Sequence, residues 1–407
     1  MTLDLAERGE YRAARACVML FVLSTFISYA YVFGTGTYNG DFYGAPEKLG
    51  FFGQTGVLIA ALIPYVFGWY LYRYFKSKNQ RRTVRVPYQS VACVFFIVVI
   101  WFIAIAMKYD VGVIGRDAYV APPFIKFIIQ ISNRINPFYI GVFFILTNRE
   151  SRKTLWLGIV LLLALGMLRA SLGVFLYVAL ALLIRNYREI ASCVRRNKMK
   201  VLIASLLFPL IVSQLYSVRG TLRGDRPAGS SPPISEVVVG KLAGRLSSFS
   251  DSALIFQKSG YFESAVNRLD DLYFFKQAFG GIFGAEFIPE VTPERMLVNV
   301  SGGDYVNVSF MTGLPGNLYL AWLLSPAVFI LNLSLVLLMC LAIFILARKL
   351  RTPLANEFAL VLVLYPLTSG VGNEFSSVII SLLSFLLIFL LLTIFNKKNR
   401  KVASNFS

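Results

Sequence analysis

The chain has 407 residues, 57% of them hydrophobic and 15% charged, with a mean hydropathy of +0.66 and a formal net charge of +19. That balance excludes an ordinary soluble domain. The lack of any histidine excludes a Ser-His-Asp or Cys-His centre, a histidine-bound zinc and a histidine-ligated haem, so a general base must be a carboxylate or a lysine.

Apolar runs of the length a helix needs to cross about 30 Å of hydrocarbon predict an all-α polytopic membrane protein with about ten transmembrane helices, within a range of roughly 10–12. The candidate spans are 16–33, 51–73, 91–107, 124–147, 154–168, 170–184, 201–216, 326–347, 357–372 and 375–395. The first reads as an uncleaved anchor, because no small-x-small cleavage pattern follows it. Cys17, Cys93, Cys193 and Cys340 lie in or beside these runs, too far apart for a CxxC pair, and indicate neither a disulfide framework nor a metal site.

Most of the 40 lysines and arginines fall on alternate connections: Arg8, Arg12 and Arg15, then 73–85, 149–153, 185–200, 348–351 and 397–401. The positive-inside rule places these on the cytoplasmic side, both termini included, in a bacterial inner membrane. The basic rims read as topology signals attracted to anionic lipid, and no nucleic-acid partner is expected. The outer connections are then 34–50, 108–123 and 217–325. The chain divides into a seven-span bundle over 1–216, a long external loop over 217–325, and the remaining spans with a basic tail over 326–407. Within the loop, 306–325 reads as an interfacial or partly re-entrant helix interrupted at Gly313, Pro315 and Gly316.

The start of the long loop, YSVRGTLRGDRPAGSSPP, sets Arg219, Arg223 and Arg226 just beyond the seventh span. Guanidinium groups bind phosphate bidentately and stay charged, so three at an outer membrane boundary suit a lipid-linked phosphate or pyrophosphate; headgroup contact is the plainer alternative. Arg169, in LGMLRASLGVF at the turn between spans five and six, is a further candidate, either facing a wet interior or snorkelling outward. Lys126 is a weaker one, while Arg134, followed by Asn136 and Pro137, suits a kinked helix better than a site. The middle of the loop has apolar residues at helical intervals, as in Leu269, Leu272, Tyr273, Lys276 and Phe279, and predicts amphipathic helices along the membrane face. Arg245, Asp251, Arg268, Asp270 and Asp271 sit on or beside them and read singly as surface charges. Asp251, Asp270, Asp304 and Glu374 are the external carboxylates open to the role of base, and spacing does not choose between them.

The LRASLG turn, the YSVRGTLRGDR start of the long loop and the GLPGNLYLAWLL return together resemble the O-antigen polymerases of the Wzy type, related in architecture to the O-antigen ligases. Ligases of this wider group carry a histidine near the end of the long loop, where this chain has Asp304, Tyr305 and Asn307. The resemblance implies a GT-C-like glycosyltransferase architecture acting on undecaprenyl-pyrophosphate-linked oligosaccharides at the periplasmic face. A growing glycan would pass from its lipid pyrophosphate to a hydroxyl of the next lipid-linked repeat unit, with no metal or other cofactor required. In that reading Arg219 and Arg223 offset the leaving pyrophosphate, helped by Arg169, Arg226 and Arg245, and Asp304 or Asp251 handles the acceptor proton. A chain-length regulator of the polysaccharide co-polymerase type is the partner implied. The rival readings are a transporter or flippase of lipid-linked oligosaccharides and an O-antigen ligase.

Overall fold

Hydrocarbon offers the backbone no water to bond, so continuous apolar sequence folds as helix, which satisfies its own N–H and C=O groups. The computed structural model describes residues 5–78, 88–113, 120–148, 151–169, 171, 173–223, 240, 243–300, 311–350 and 352–404. Among them there are α-helices and short 3-10 turns but no β-strand, and the one isolated bridge joins Thr37 to Pro46.

Six helices are long and apolar enough to cross a membrane. They lie within α1 (Leu5–Thr35), α2 (Gly50–Ser77), α3 (Tyr88–Tyr109), α8 (Lys198–Arg223), α14 (Pro326–Lys349) and α16 (Gly372–Ser404). Ile59, Ile63 and Val66 on α2, Ile97 and Ile100 on α3, Leu206 and Ile211 on α8, and Leu387 and Leu390 on α16 leave broad apolar surface exposed. A soluble monomer does not carry such a surface; lipid covers it. The chain is a multi-pass, all-α membrane protein.

The other four expected spans fold as shorter or interrupted helices. The run 124–147 divides into α4 (Pro123–Ser132) and α5 (Pro137–Thr147). Pro137 has no N–H to continue the helix, and the Asn136 side chain caps α5 by accepting from the Phe138 N–H at 2.9 Å. The Asn136 N–H in turn donates to Ser381 Oγ at 3.0 Å, which ties the break to α16. Next come α6 (Arg152–Leu168) and α7 (Gly173–Arg196), the latter leaving helical geometry at Asn186. The run 357–372 becomes α15 (Ala355–Ser369). Both α5 and α15 are buried almost all round, as a helix apolar on every face should be when it forms the core of a bundle. Around them pack α1, α2, α3, α7, α14 and α16.

The long loop folds into this bundle. It contains α9 (Phe249–Gln257), α10 (Ser259–Ala265), α11 (Tyr273–Phe283), α12 (Pro293–Val300) and α13 (Leu314–Leu324). Residues 251–255 of α9 are all buried, and the helix packs against α1, α2 and α13. The expectation that the loop helices lie along the membrane face is therefore corrected for α9. In α11 the inward face is Tyr273, Phe274, Gln277 and Ala278, packed toward α14 and α16, while Leu272 is exposed. The expected interruption near Gly313 to Gly316 is instead the start of α13. The break comes later, where the Ser325 side chain accepts from the Val328 N–H and caps α14, with Pro326 opening the new helix.

Two glycine crossings fasten the loop. A Cβ on Gly244 would stand 2.3 Å from the Cα and N of Gly40, itself at φ +74°. At the other end a Cβ on Gly370 (φ +70°) would stand 2.5 Å from the carbonyl carbon of Gly313 (φ +66°), whose N–H donates to the Ser369 carbonyl at 3.1 Å. Only residues without a side chain let the two backbones come this close.

Candidate functional site

The first glycine crossing sets the 3-10 turn Gly40–Phe42 beneath the segment leading into α9, and each glycine is followed by a charged residue. Arg245 Nη2 meets Asp41 Oδ1 at 2.5 Å. The Asp41 side chain is only 4% exposed, whereas Arg245 keeps 42% of its side chain accessible. The Met311 N–H also donates to Asp41 Oδ2, at a long 3.4 Å.

Asp251 lies in the first turn of α9 and is 1% exposed. Neither of its carboxyl oxygens has a hydrogen-bond partner among the described residues. Burial pushes this carboxyl well above the usual carboxylate range, the nearby Asp41 pushes the same way, and Arg245 opposes both. The Asp41 carboxylate, outweighing burial, raises the Arg245 guanidinium and keeps it charged. A buried carboxyl with raised proton affinity therefore lies within electrostatic reach of a paired guanidinium that keeps part of its side chain accessible.

A polar network holds α9 in place. Ser28 Oγ donates to Asn39 Oδ1 at 2.6 Å, and Ser250 Oγ donates to the same oxygen. The Gly316 N–H donates to Ser252 Oγ at 3.2 Å, linking α9 to α13. The Tyr38 hydroxyl donates to Gln257 Oε1 at 2.7 Å, fixing the far end of α9 to the α1–α2 connection. Tyr216 on α8 and Tyr365 on α15 lie within electrostatic reach of Arg245. From Tyr365 the aromatic seam continues to Tyr177, with ring centroids 6.2 Å apart, and to Tyr139, 5.5 Å further. Glu374 faces Tyr139 and Tyr177 from the first turn of α16.

The structure brings Arg245 and Asp251 together. Asp251 read singly as a surface charge in the sequence and is instead one of the most buried polar residues. Arg219 and Arg223 belong to the last turns of α8, and their side chains lie outside the described residues, as do Arg226 and Asp304 entirely. Arg169 follows α6 as its C-cap, with its guanidinium 4.5 Å from the Phe102 ring centroid and close against Gly112. Its Nε and Nη2 are buried without a hydrogen-bond partner among the described residues. Its contacts are thus with the end of α3 and not with the Asp41–Arg245 pair. Lys126 and Arg134 are exposed. Asp270 is engaged locally, pairing with Lys276 and accepting from the Leu272 N–H at 2.8 Å. Asp271 is exposed and Arg268 likewise.

Sequence reasoning missed Asp41. It sits in YNGDFYG, where the flanking glycines were the available signal, but its partner lies 204 positions further on. Among the described residues no three His, Cys, Asp or Glu side chains converge as a metal site. No family model, curated protein or solved structure matches the chain.

Proposed function

We propose that the protein is a membrane-embedded glycosyltransferase of the O-antigen polymerase kind, with a GT-C-like arrangement of about ten crossings. It transfers a glycan from undecaprenyl pyrophosphate to a hydroxyl of another lipid-linked repeat unit at the outer face of a bacterial inner membrane. The observation that carries this reading is the buried Asp251 carboxyl, with both oxygens unpartnered, beside an Arg245 braced by Asp41 at the foot of the long loop.

The reaction needs two things from the protein. The acceptor oxygen attacks the anomeric carbon, its proton passes to a base, and the bond from that carbon to the pyrophosphate oxygen breaks. A carboxylate whose proton affinity is raised by burial is a stronger base once ionised, which suits Asp251 to the first task. Cations that stabilise the departing charge meet the second. Arg245 supplies one. Tyr216 stands beside it, and by helical register positions 216, 219 and 223 share one face of α8, which favours Arg219 and Arg223 for the others. Arg169 and Arg226 are assigned to glycan or pyrophosphate binding, and a chain-length regulator is the expected protein partner. The helix interruption at Asn136–Pro137 favours a second reading, a carrier of lipid-linked oligosaccharide, since carriers use broken helices at their binding sites.

Incubating purified protein in detergent with lipid-pyrophosphate repeat units separates the two, because no compartments exist there. Polymer from the wild type, and none from Asp251→Asn or Arg219→Ala, supports the transferase. A protein that makes no polymer yet moves the lipid across reconstituted vesicles is a carrier.

A further inference from the structure

One face of α11 carries Tyr273 and, a turn further on, Gln277, both buried. The Tyr273 hydroxyl donates to Asn317 Oδ1 on α13 at 2.5 Å, and the Asn317 amide nitrogen donates to the Gly370 carbonyl at 3.0 Å. The Asn332 side chain of α14 stands beside the same hydroxyl, and Glu294, in the first turn of α12, lies within electrostatic reach of it. Gln277 Nε2 donates to Glu294 Oε2 at 2.7 Å. Residues of α11, α12, α13 and α14 thus belong to one polar cluster.

This cluster holds more acceptors than donors. Gln277, Glu294 and Asn332 are only 5%, 4% and 1% exposed, and Gln277 Oε1, Glu294 Oε1 and Asn332 Oδ1 have no hydrogen-bond partner among the described residues. Against these oxygens stands one unpartnered donor of the same side chains, Asn332 Nδ2. Buried polar atoms in that state are costly. A water molecule brings two hydrogens and leaves an acceptor over, whereas a cation engages oxygen lone pairs alone. The Thr292 hydroxyl is near the Glu294 carboxyl, and Arg295, which also acts on its charge, is exposed and donates to the Glu290 carbonyl. A single carboxylate among neutral amides balances one positive charge, and a divalent ion would leave excess charge buried. Burial pushes the Glu294 carboxyl above its usual range, so a proton competes for the same oxygens.

We infer that this cluster binds a monovalent metal cation through the side-chain oxygens of Glu294, Gln277 and Asn332, fastening α11 and α12 to α14. The inference is independent of the reaction proposed above. Full-length protein in detergent at mildly alkaline pH is titrated with radioactive sodium and, separately, with rubidium as a stand-in for potassium. Melting is followed as choline chloride is exchanged for sodium or potassium chloride at constant ionic strength. Wild type is compared with Glu294→Gln, with Asn332→Ala, which keeps the carboxylate, and with Glu263→Gln, which removes an exposed carboxylate elsewhere in the loop. The expected result is saturable binding and a higher melting temperature with the ion in wild type and Glu263→Gln, with affinity weakened about tenfold or more in Glu294→Gln and Asn332→Ala. Preference for rubidium and potassium over sodium keeps the site and assigns it the larger ion. Absence of saturable binding to wild type overturns the inference, as does equal weakening in every variant. A melting temperature that follows pH and ignores the ion, with that dependence reduced in Glu294→Gln, also overturns it and makes Glu294 a buried neutral acid.

Discussion

Replacing Arg245 by alanine tests the electrostatic logic of the proposed centre. Asp41 would lose a partner at 2.5 Å while its side chain stays 4% exposed, and its other hydrogen bond among the described residues is the long one from the Met311 N–H. Stranding one member of a fully buried pair costs about 3–5 kcal/mol. Arg245 is 42% exposed, so water entering the vacated space offsets part of this, and a loss of about 2 kcal/mol is expected. Asp41→Asn in the Arg245→Ala background removes the uncompensated charge and should recover at least about 1 kcal/mol. Unfolding of the four proteins of this cycle in detergent, followed by fluorescence against denaturant, gives the coupling. Polymer formation should be lost in both Arg245 variants, including the restabilised double. Strictly additive effects, or a single variant within about 0.5 kcal/mol of wild type, would refute the claim that Arg245 compensates a buried carboxylate.

Two further outcomes follow from the same region. Because the Asp251 carboxyl is raised in the folded protein, the folded state binds a proton that the unfolded chain releases above about pH 4. Stability from this group is full below that pH and declines as pH rises toward the folded value, by at most about 1.4 kcal/mol per pH unit. Asp251→Asn should flatten a melting-temperature series run upward from pH 4, leaving a residual slope of the same sign from Glu294, which burial also raises; an unchanged slope would place the Asp251 carboxyl in water. Gly244→Ala drives a methyl into the Gly40 backbone and should cost about 2 kcal/mol or more, together with the Arg245–Asp41 pairing, whereas Gly260→Ala, with nothing within 4 Å, should melt like wild type.

The six long helices were legible because each is a continuous apolar run bounded by charge or glycine, and hydropathy alone reports that. A kink in 124–147 was legible through Asn136–Pro137, but the full division into two helices was not. The status of α15 was not: a short apolar run that forms the centre of a bundle has the composition of one that faces lipid, and only its packing tells them apart. Glycines near 313 looked like an interruption because a left-handed N-cap and a helix breaker share a residue type. At the site, Arg245 and Asp251 were recognisable as chemistry-bearing residues of the loop. Their burial and their link to Asp41 were hidden, since both depend on a backbone crossing between segments some two hundred residues apart.

The crossing of Gly313 over Gly370 also sets an order in time. Segments α9 and α11 dock on α13, α14 and α16, all of which leave the ribosome after them. At a synthesis rate of about 5–20 residues per second, roughly ten seconds separate translation of α9 from that of the turn before α16. Throughout that interval α9 has its partners in α1 and α2, but those in the later helices are still to come. A chain halted before residue 370 therefore holds Arg245 and Asp251 without the full packing that the finished bundle places around them.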